Sequence, residues 1–459
     1  MFFIRQHWVV LAIFTLSLIV RLLYLGFSLH ANGNELLQTI SGADGYFNVS
    51  QNLIQGHGLS SSVAPPYVPY SFRPPVYHYF IAGSYFLLGG YFGVIILQII
   101  LGSVLPVLGY YLATFLLSNR KICAAVGFFL AVEPSSILYS TIFYSEILFI
   151  FLFLLSLLCL FKYFYNTQRA YFYLSAQLLG IATLTRPTTE FLPILILGIV
   201  IWLHRRALTK KIWIDVAGYA LLFLLVLAPW SYRNYVTFGT PEISPLTGVS
   251  LYSVLLPTVY SIERGTTFQV EYKILEDAGV LGPNIAPVTV GSEYVRTAIP
   301  LLIAHPKALA LSFANSELNF FVQDGTFDFL RHIKVRPREM LGRPATFVLL
   351  SKPLVAVKFV IRNFFGPVFF IVVGRVTWII VTLAAFIGVW QYVRRYNVTP
   401  YLVTSVSVTA YFALTSAITG LGLTSRYRLP VNPLILIFAC FCLARLLQYG
   451  NQYLRRLYA

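Results

Sequence analysis

Acidic side chains and sulfur are both scarce in this chain. Its 459 residues hold 16 Asp and Glu against 33 Lys and Arg, with four cysteines and two methionines. Cys123, Cys159, Cys440 and Cys442 lie in or beside apolar runs, and none falls in a polar segment. That excludes a disulfide framework and any metal-type cysteine spacing, and leaves four small buried hydrophobes. Charge of either sign is sparse: 11% of residues are charged and 58% are hydrophobic, with a mean hydropathy of +0.75. A soluble domain carries about 25% charged residues, so a multi-span membrane protein is expected. The net charge of +17 does not point to nucleic acid. The basic residues stand in short clusters between apolar runs, which is how inner-face anchors are distributed. Internal repeats and low-complexity tracts are absent as well.

What the chain does have is apolar length. Runs long enough for a bilayer occur at Trp8–Ser28, Tyr91–Leu117, Ile122–Tyr139, Glu146–Tyr165, Tyr171–Thr185, Thr188–Leu203, Ile212–Trp230, Val372–Val393, Tyr401–Ile418 and Leu429–Leu447. The first reads as an uncleaved span, because Arg21 interrupts it and no small-residue cleavage site follows. If Val76–Gly90 lies along the interface rather than crossing, Arg5, Arg120, Lys121, Lys162, Arg169, the "HRRALTKK" loop, Arg394, Arg395, Arg445, Arg455 and Arg456 all fall on the cytoplasmic side. The expected fold is therefore an all-α polytopic membrane protein of about ten transmembrane helices. It has a first external loop, Leu29–Gly90, that contains an interfacial helix, and a larger mixed external region after the seventh span. Three units follow: a transmembrane module over 1–232, an external region over 233–371 and closing helices over 372–459. Both termini are expected in the cytoplasm of a plasma-membrane protein.

The chemistry is expected at one depth. Asp44, Arg73 in "FRPP", Glu146 in "YSEI", Arg186 in "LTRPTTE", Arg233 in "PWSYRN", and Arg426, Tyr427 and Arg428 in "SRYRLP" all sit at outer ends of spans or in the first loop. Each also has an ordinary reading. Asp44 before Gly45 suits a turn, Glu146 suits a helix first turn, and a boundary arginine suits a lipid headgroup. His57 and His78 read as interfacial bystanders. Five arginines and two carboxylates together, on the face where arginine should be rare, suggest a pocket for an anion, and a guanidinium fork suits phosphate.

At these residues the sequence resembles a GT-C glycosyltransferase, within the bacterial branch of glycosyltransferase family 39, related to protein mannosyltransferases and lipid A aminoarabinose transferases. The resemblance rests on "DGYFNVSQNLIQGHGLS", "FRPPVYHYF", "EPSSILYSTIFYSEILF", "GIATLTRP", "APWSYRNYVTFGTPEISPLTGVSLY" and "GLTSRYRLPVNP", in that order. It implies a GT-C fold and inverting transfer of a sugar from a polyprenyl-phosphate donor to a hydroxyl acceptor, on a lipid, a glycan or a protein, outside the cytoplasm. It also implies that Asp44 is the general base, that Glu146 is an acid at the outer end of the fourth span, and that Arg426 lines the carrier-phosphate site. Arg73, Arg186, Arg233, Tyr427 and Arg428 are expected to join it in holding donor and phosphate. Relatives often carry two adjacent acids in the first loop, whereas Ala43 and Gly45 flank Asp44 here, so a divalent metal stays undecided. A lipid-linked sugar flippase, a glycan polymerase or ligase, and a catalytically inert binding subunit remain the rival readings.

Overall fold

The computed structural model describes residues 2–42, 44–278, 288–336, 353–418, 420 and 425–457. Among them the structure is helical. The only β pairing is an isolated antiparallel bridge, Ser60 to Pro69, inside the first loop. In chain order the helices begin with α1 (Phe2–Ala31), α2 (Leu36–Ile40), α3 (Tyr46–Ile54), α4 (Val76–Leu88), α5 (Tyr91–Leu116), α6 (Arg120–Ala131) and α7 (Pro134–Ser140). Next come α8 (Glu146–Asn166), α9 (Arg169–Thr183), α10 (Leu192–Leu203) and α11 (Lys210–Phe238). A set of shorter helices follows: α12 (Leu246–Ser250), α13 (Leu256–Arg264), α14 (Phe268–Asp277), α15 (Gly291–Ile303), α16 (Pro306–Val322), α17 (Thr326–His332) and α18 (Pro353–Asn363). The chain closes with α19 (Phe369–Tyr396), α20 (Pro400–Ile418) and α21 (Asn432–Leu457).

Among the described residues seven helices are long and apolar enough to cross a membrane, or up to nine if two bent pairs each count as one span. That count does not confirm the expected ten. Helices α9 and α10 have 15 and 12 residues, about 22 and 18 Å at 1.5 Å per residue, short of the roughly 30 Å of hydrocarbon. Pro187 opens the turn between them and Pro193 sits in the first turn of α10. Helix α4 has 13 residues, too short to span alone, as its interfacial assignment requires. One of the bent pairs, Val288–Ile303 with Pro306–Val322, turns by 108° in a stretch expected to be wholly external. Its second half, α16, packs against α19 and α20.

The other bent pair, α6 with α7, turns by 53°, and the sequence encodes the turn. Glu133 caps α7, accepting a bond from Ser136 N at 2.6 Å, and Pro134 opens that helix. An acceptor at the cap and proline at the first position are the usual helix-start chemistry. The break leaves backbone carbonyls that must be satisfied where no water reaches. Arg21 of α1, fully buried, donates to Ala131 O at 3.2 Å and to Ser136 and Ser140 hydroxyls at 2.6 and 3.0 Å. Gln98 of α5 does the same past the end of α7, donating to Tyr139 O and Ile142 O at 3.0 and 2.6 Å while accepting from Tyr77 OH at 2.7 Å. The interruption of α1 by Arg21 is thus a device for holding a broken span. It also brings Glu146, at the start of α8, to the end of the bundle where the first loop lies.

Helices α12 to α16 build a smaller core of their own from Leu251, Tyr252, Leu256, Val259, Leu275, Ala298 and Leu302. The end of α11 and the segments leading into α12 and α15 grip the first loop just ahead of Arg73. Arg233 donates to Tyr70 O at 2.9 Å, Ser244 Oγ to Phe72 O at 2.7 Å, and Val288 N to Ser71 Oγ at 3.0 Å.

Candidate active site

Gly45 makes the first corner of the site. It caps α3 with φ +75°, a left-handed turn that a glycine adopts without cost, and it sends the chain from Asp44 directly into Tyr46. The Tyr46 hydroxyl donates to Ser145 Oγ at 2.9 Å and accepts from Arg73 Nη1 at 3.4 Å. Its ring also lies under the Arg73 guanidinium, 4.8 Å from the centroid, an attraction that locks the side chain. Arg73 Nη1 then stands 3.4 Å from Asp44 Oδ2.

Arg426 joins the two carboxylates. Its Nη2 meets Asp44 Oδ2, its Nη1 is 3.3 Å from Asp44 Oδ1, and its Nε donates to Glu146 Oε1. Arg186 Nη1 donates to the same Glu146 oxygen. The Tyr144 ring lies 4.6 Å from the Arg426 guanidinium carbon, and the Tyr427 ring 5.7 Å from that of Arg186. One planar cation thus bridges an acid of the first loop and an acid of the fourth apolar run, 102 residues downstream by number. A lysine could not make that fork. Three guanidiniums face two carboxylates, so the cluster keeps one net positive charge. Burial alone would push the Asp44 carboxyl up, but Arg426 and Arg73, with Arg186 beyond them, outweigh it and bring it down to about 2.

Beside the cluster opens a small cleft lined by Glu146, Phe149, Arg186, Thr188, Phe412, Thr415, Ser416, Arg426, Tyr427 and Pro430. Two guanidiniums and the rings of Phe149, Phe412 and Tyr427 share its wall, with the Arg186 guanidinium carbon 6.0 Å from the Phe149 ring. Glu146 is 1% exposed, and its Oε2 has no hydrogen-bond partner among the described residues. An orphaned carboxylate oxygen in a dry wall is costly and marks a place where a hydroxyl donor would be welcome.

The structure thus gathers Asp44, Arg73, Glu146, Arg186, Arg426 and Tyr427. It does not gather the other two expected arginines. Arg233 is turned to Tyr70 O and to Asn234 Oδ1, at 2.9 Å each, with its guanidinium over the Trp230 ring. Arg428 is fully buried. It donates to Asn432 Oδ1, Phe320 O and Phe321 O at 2.8–2.9 Å and also to Gln323 O, flat on the Trp378 ring at 3.5 Å. Every nitrogen of Arg428 is committed to a fixed neutral acceptor, whereas both bonds of Arg233 come from its Nη1. His78, expected as an interfacial bystander, is instead fully buried against Tyr46 and Tyr70, with Nδ1 3.2 Å from Ser50 Oγ. Burial, aided by Arg73, pushes its pKa down to about 3, so it is neutral there.

Three contributors escaped the sequence reading: Tyr46, Tyr144 and the Ser145 hydroxyl. Two signals were available. Tyr46 follows Asp44 by two residues, and Tyr144 with Ser145 directly precedes Glu146. Among the described residues no group of three or more His, Cys, Asp or Glu is assembled. Asp44 and Glu146 are met by arginines, a poor donor environment for a divalent cation, which takes six or more oxygens. The residues present do not fit a resident metal.

Residues 72–232 match the protein family described as dolichyl-phosphate-mannose-protein mannosyltransferase. No curated protein matches the chain. Solved structures of similar fold include the following two. One is the archaeal oligosaccharyltransferase AglB from Archaeoglobus fulgidus, solved with an inhibitory peptide and a dolichol-phosphate: 13% identity, TM-score 0.49, covering 96% of this chain and 51% of that one. The chain therefore spans about half the length of that enzyme. The other is ArnT from Cupriavidus metallidurans in the apo state: 15% identity, TM-score 0.41, covering 92% of this chain and 78% of that one. From Phe72 to Tyr232, a stretch that holds Arg73, Glu146 and Arg186 but neither Asp44 nor Arg426, the chain matches the dolichyl-phosphate-mannose-protein mannosyltransferase family.

Proposed function

We propose that this chain is a membrane glycosyltransferase that moves a sugar from a polyprenyl-phosphate donor to a hydroxyl acceptor, with inversion, on the extracytoplasmic side. The observation that carries the proposal is Arg426 bridging Asp44 and Glu146 beside a cleft lined in part by aromatic rings. A cluster with one surplus positive charge suits a phosphodiester, which carries one negative charge.

The donor phosphate enters against Arg186 and Arg426, and its isoprenoid tail leaves between the apolar walls. Arg426 cannot serve phosphate and both carboxylates with the same donors, so donor binding draws it away from Asp44. Asp44 then stands on the face opposite the leaving group. It takes the proton of the acceptor hydroxyl as that oxygen bonds to the anomeric carbon. The bond from that carbon to the phosphate oxygen breaks, and its electron pair stays on the phosphate. The carrier phosphate goes from one negative charge to two, so fixed guanidiniums stabilise the transition state more than the ground state. The sugar passes through an oxocarbenium-like state, and the free Glu146 oxygen is placed to accept a sugar hydroxyl. Tyr46 and Arg73 hold Asp44 rather than reacting. The sugar and the acceptor are set by groups other than these charges.

The test is mass spectrometry of cell-envelope glycolipids and glycoproteins, with the chain present, absent or carrying Asp44→Asn. One sugar mass should vanish in both altered states. A flippase would keep that mass with Asp44→Asn, and that outcome would refute the enzymatic reading.

A further inference from the structure

Arg426 sits in a three-residue turn, Ser425–Tyr427, and a side chain that must bridge two carboxylates needs a backbone held to a fraction of an ångström. The turn is held by the end of α16, by the short loop Gln323–Gly325 that follows it, and by Ser135 of α7. On one side the Arg428 guanidinium binds the carbonyls of Phe320, Phe321 and Gln323. On the other, Ser425 Oγ bonds Ser135 Oγ at 2.6 Å, and the two hydroxyls close over Gly325. That glycine has φ +76°, and a Cβ there would run into Ser135 Oγ and stand 2.5 Å from Ser425 Oγ. The loop itself is pinned. Asp324, 2% exposed, accepts from Thr326 N at 2.8 Å and from Arg375 Nε of α19 at 2.9 Å, and Arg375 also meets Gln323 Oε1. Gly374 of α19 lets it come close, since a Cβ there would lie 2.6 Å from Thr326 Oγ1.

We propose that the Ser135–Gly325–Ser425 junction, backed by Arg428, positions Arg426, and that Gly325, Ser135 and Ser425 are therefore positioning residues for donor-phosphate binding. The inference rests on the reading that Arg426 meets the donor phosphate. It assigns a task to two serines and a glycine that touch neither carboxylate. It also ties α16, the last helix of the unit built after α11, to the cation at the cleft. Filling the junction at Gly325 forces one hydroxyl to rotate and breaks the Ser135–Ser425 bond. The turn then relaxes and Arg426 leaves Asp44.

The test uses the full chain in lipid nanodiscs and needs neither donor nor transfer. Carbodiimide labelling of Asp44, read by mass spectrometry against pH, reports whether a cation still faces that carboxylate, because the reagent attacks the protonated form. In Gly325→Ala the labelling midpoint should rise by roughly one pH unit or more, the usual effect of removing an opposite charge. Binding of a polyprenyl monophosphate should weaken at least tenfold. Gly325→Ala combined with Ser135→Ala loses the same hydroxyl bond and should be no worse than Gly325→Ala alone in both readouts, whereas two independent destabilisations would add. If Gly325→Ala fails to fold, Ser135→Ala and Ser425→Ala carry the test, each with an expected three- to tenfold loss of monophosphate binding. An unchanged midpoint together with binding within twofold of the native protein overturns the proposal. A native protein that binds the monophosphate and shows these shifts, yet transfers no sugar, would instead remove the enzymatic reading and leave the junction standing.

Discussion

Arg426 and Arg428 stand two residues apart in one turn and meet opposite surroundings. Arg428 is wholly buried, with its donors on three backbone carbonyls and one amide oxygen and its face on an indole. Among the described residues the hydrogen bonds of Arg426 run to carboxylates, and its side chain lines a cleft. The contrast gives a rule for arginines at membrane boundaries. One whose donors are held by fixed neutral acceptors is part of the scaffold, because no ligand can displace a backbone carbonyl without unfolding something. One held by carboxylates can trade them for a phosphate, since the exchange replaces one charge-assisted bond by another of similar strength. The same division separates Arg233 and Arg21, both turned to carbonyls, from Arg73 and Arg186, both paired with acids.

The comparison can be broken by substitution. Asp44→Asn should lose the most, about 10²–10⁴-fold in transfer rate, as expected for removal of a general base, with membrane insertion unchanged. Arg426→Lys keeps the charge and loses the fork. Transfer should fall about 10²-fold, with weakened donor binding, measured as kcat/KM against donor concentration. Arg428→Lys should behave in the opposite way. It leaves buried carbonyls unpaired and should cost stability, about 1–3 kcal/mol for each group left unsatisfied, read as a lowered Tm. Donor affinity per folded molecule should change far less than in Arg426→Lys.

A smaller effect sharpens the electrostatic half of the comparison. The folded-state pKa of Asp44 lies at about 2, below its ordinary 3.8, and Arg426 and Arg73 hold it there. A depressed carboxyl stabilises the fold above its ordinary pKa, and that contribution is lost as pH falls towards 2. In Arg73→Gln one of the two cations is gone, so the pKa rises. Protonation then begins at a higher pH, and the acid limb of the transfer profile should move up by up to about one pH unit. An acid limb identical to that of the native protein would show that Arg73 does not face Asp44 in the working enzyme.

Most of the site was legible because its residues break the local pattern. Asp44, Glu146, Arg73, Arg186 and Arg426 are charges at the ends of apolar runs, and such placement is costly enough to have a reason. The all-α architecture was legible for the same reason, since long apolar runs in lipid must be helical. The partners of Arg428 and Arg233 were not. Phe320 lies 108 residues from Arg428, and Tyr70 lies 163 from Arg233, and a carbonyl has no signature in sequence. The count of ten spans was not confirmed at α9 and α10, where composition reads as apolar but the helices have 15 and 12 residues, with Pro187 in the turn between them. Asp324 and Arg375 were passed over because each looks like ordinary loop or span-end polarity until the fold brings them together.

The central claim is that Arg426 trades its carboxylates for a lipid phosphate. The most direct measurement is the binding isotherm of a polyprenyl monophosphate to the nanodisc-held protein, native against Arg426→Gln, with thermal unfolding checked in parallel. The account predicts saturable binding to the native protein and at least thirtyfold weaker binding to the folded variant. Equal affinity in the two proteins would contradict it.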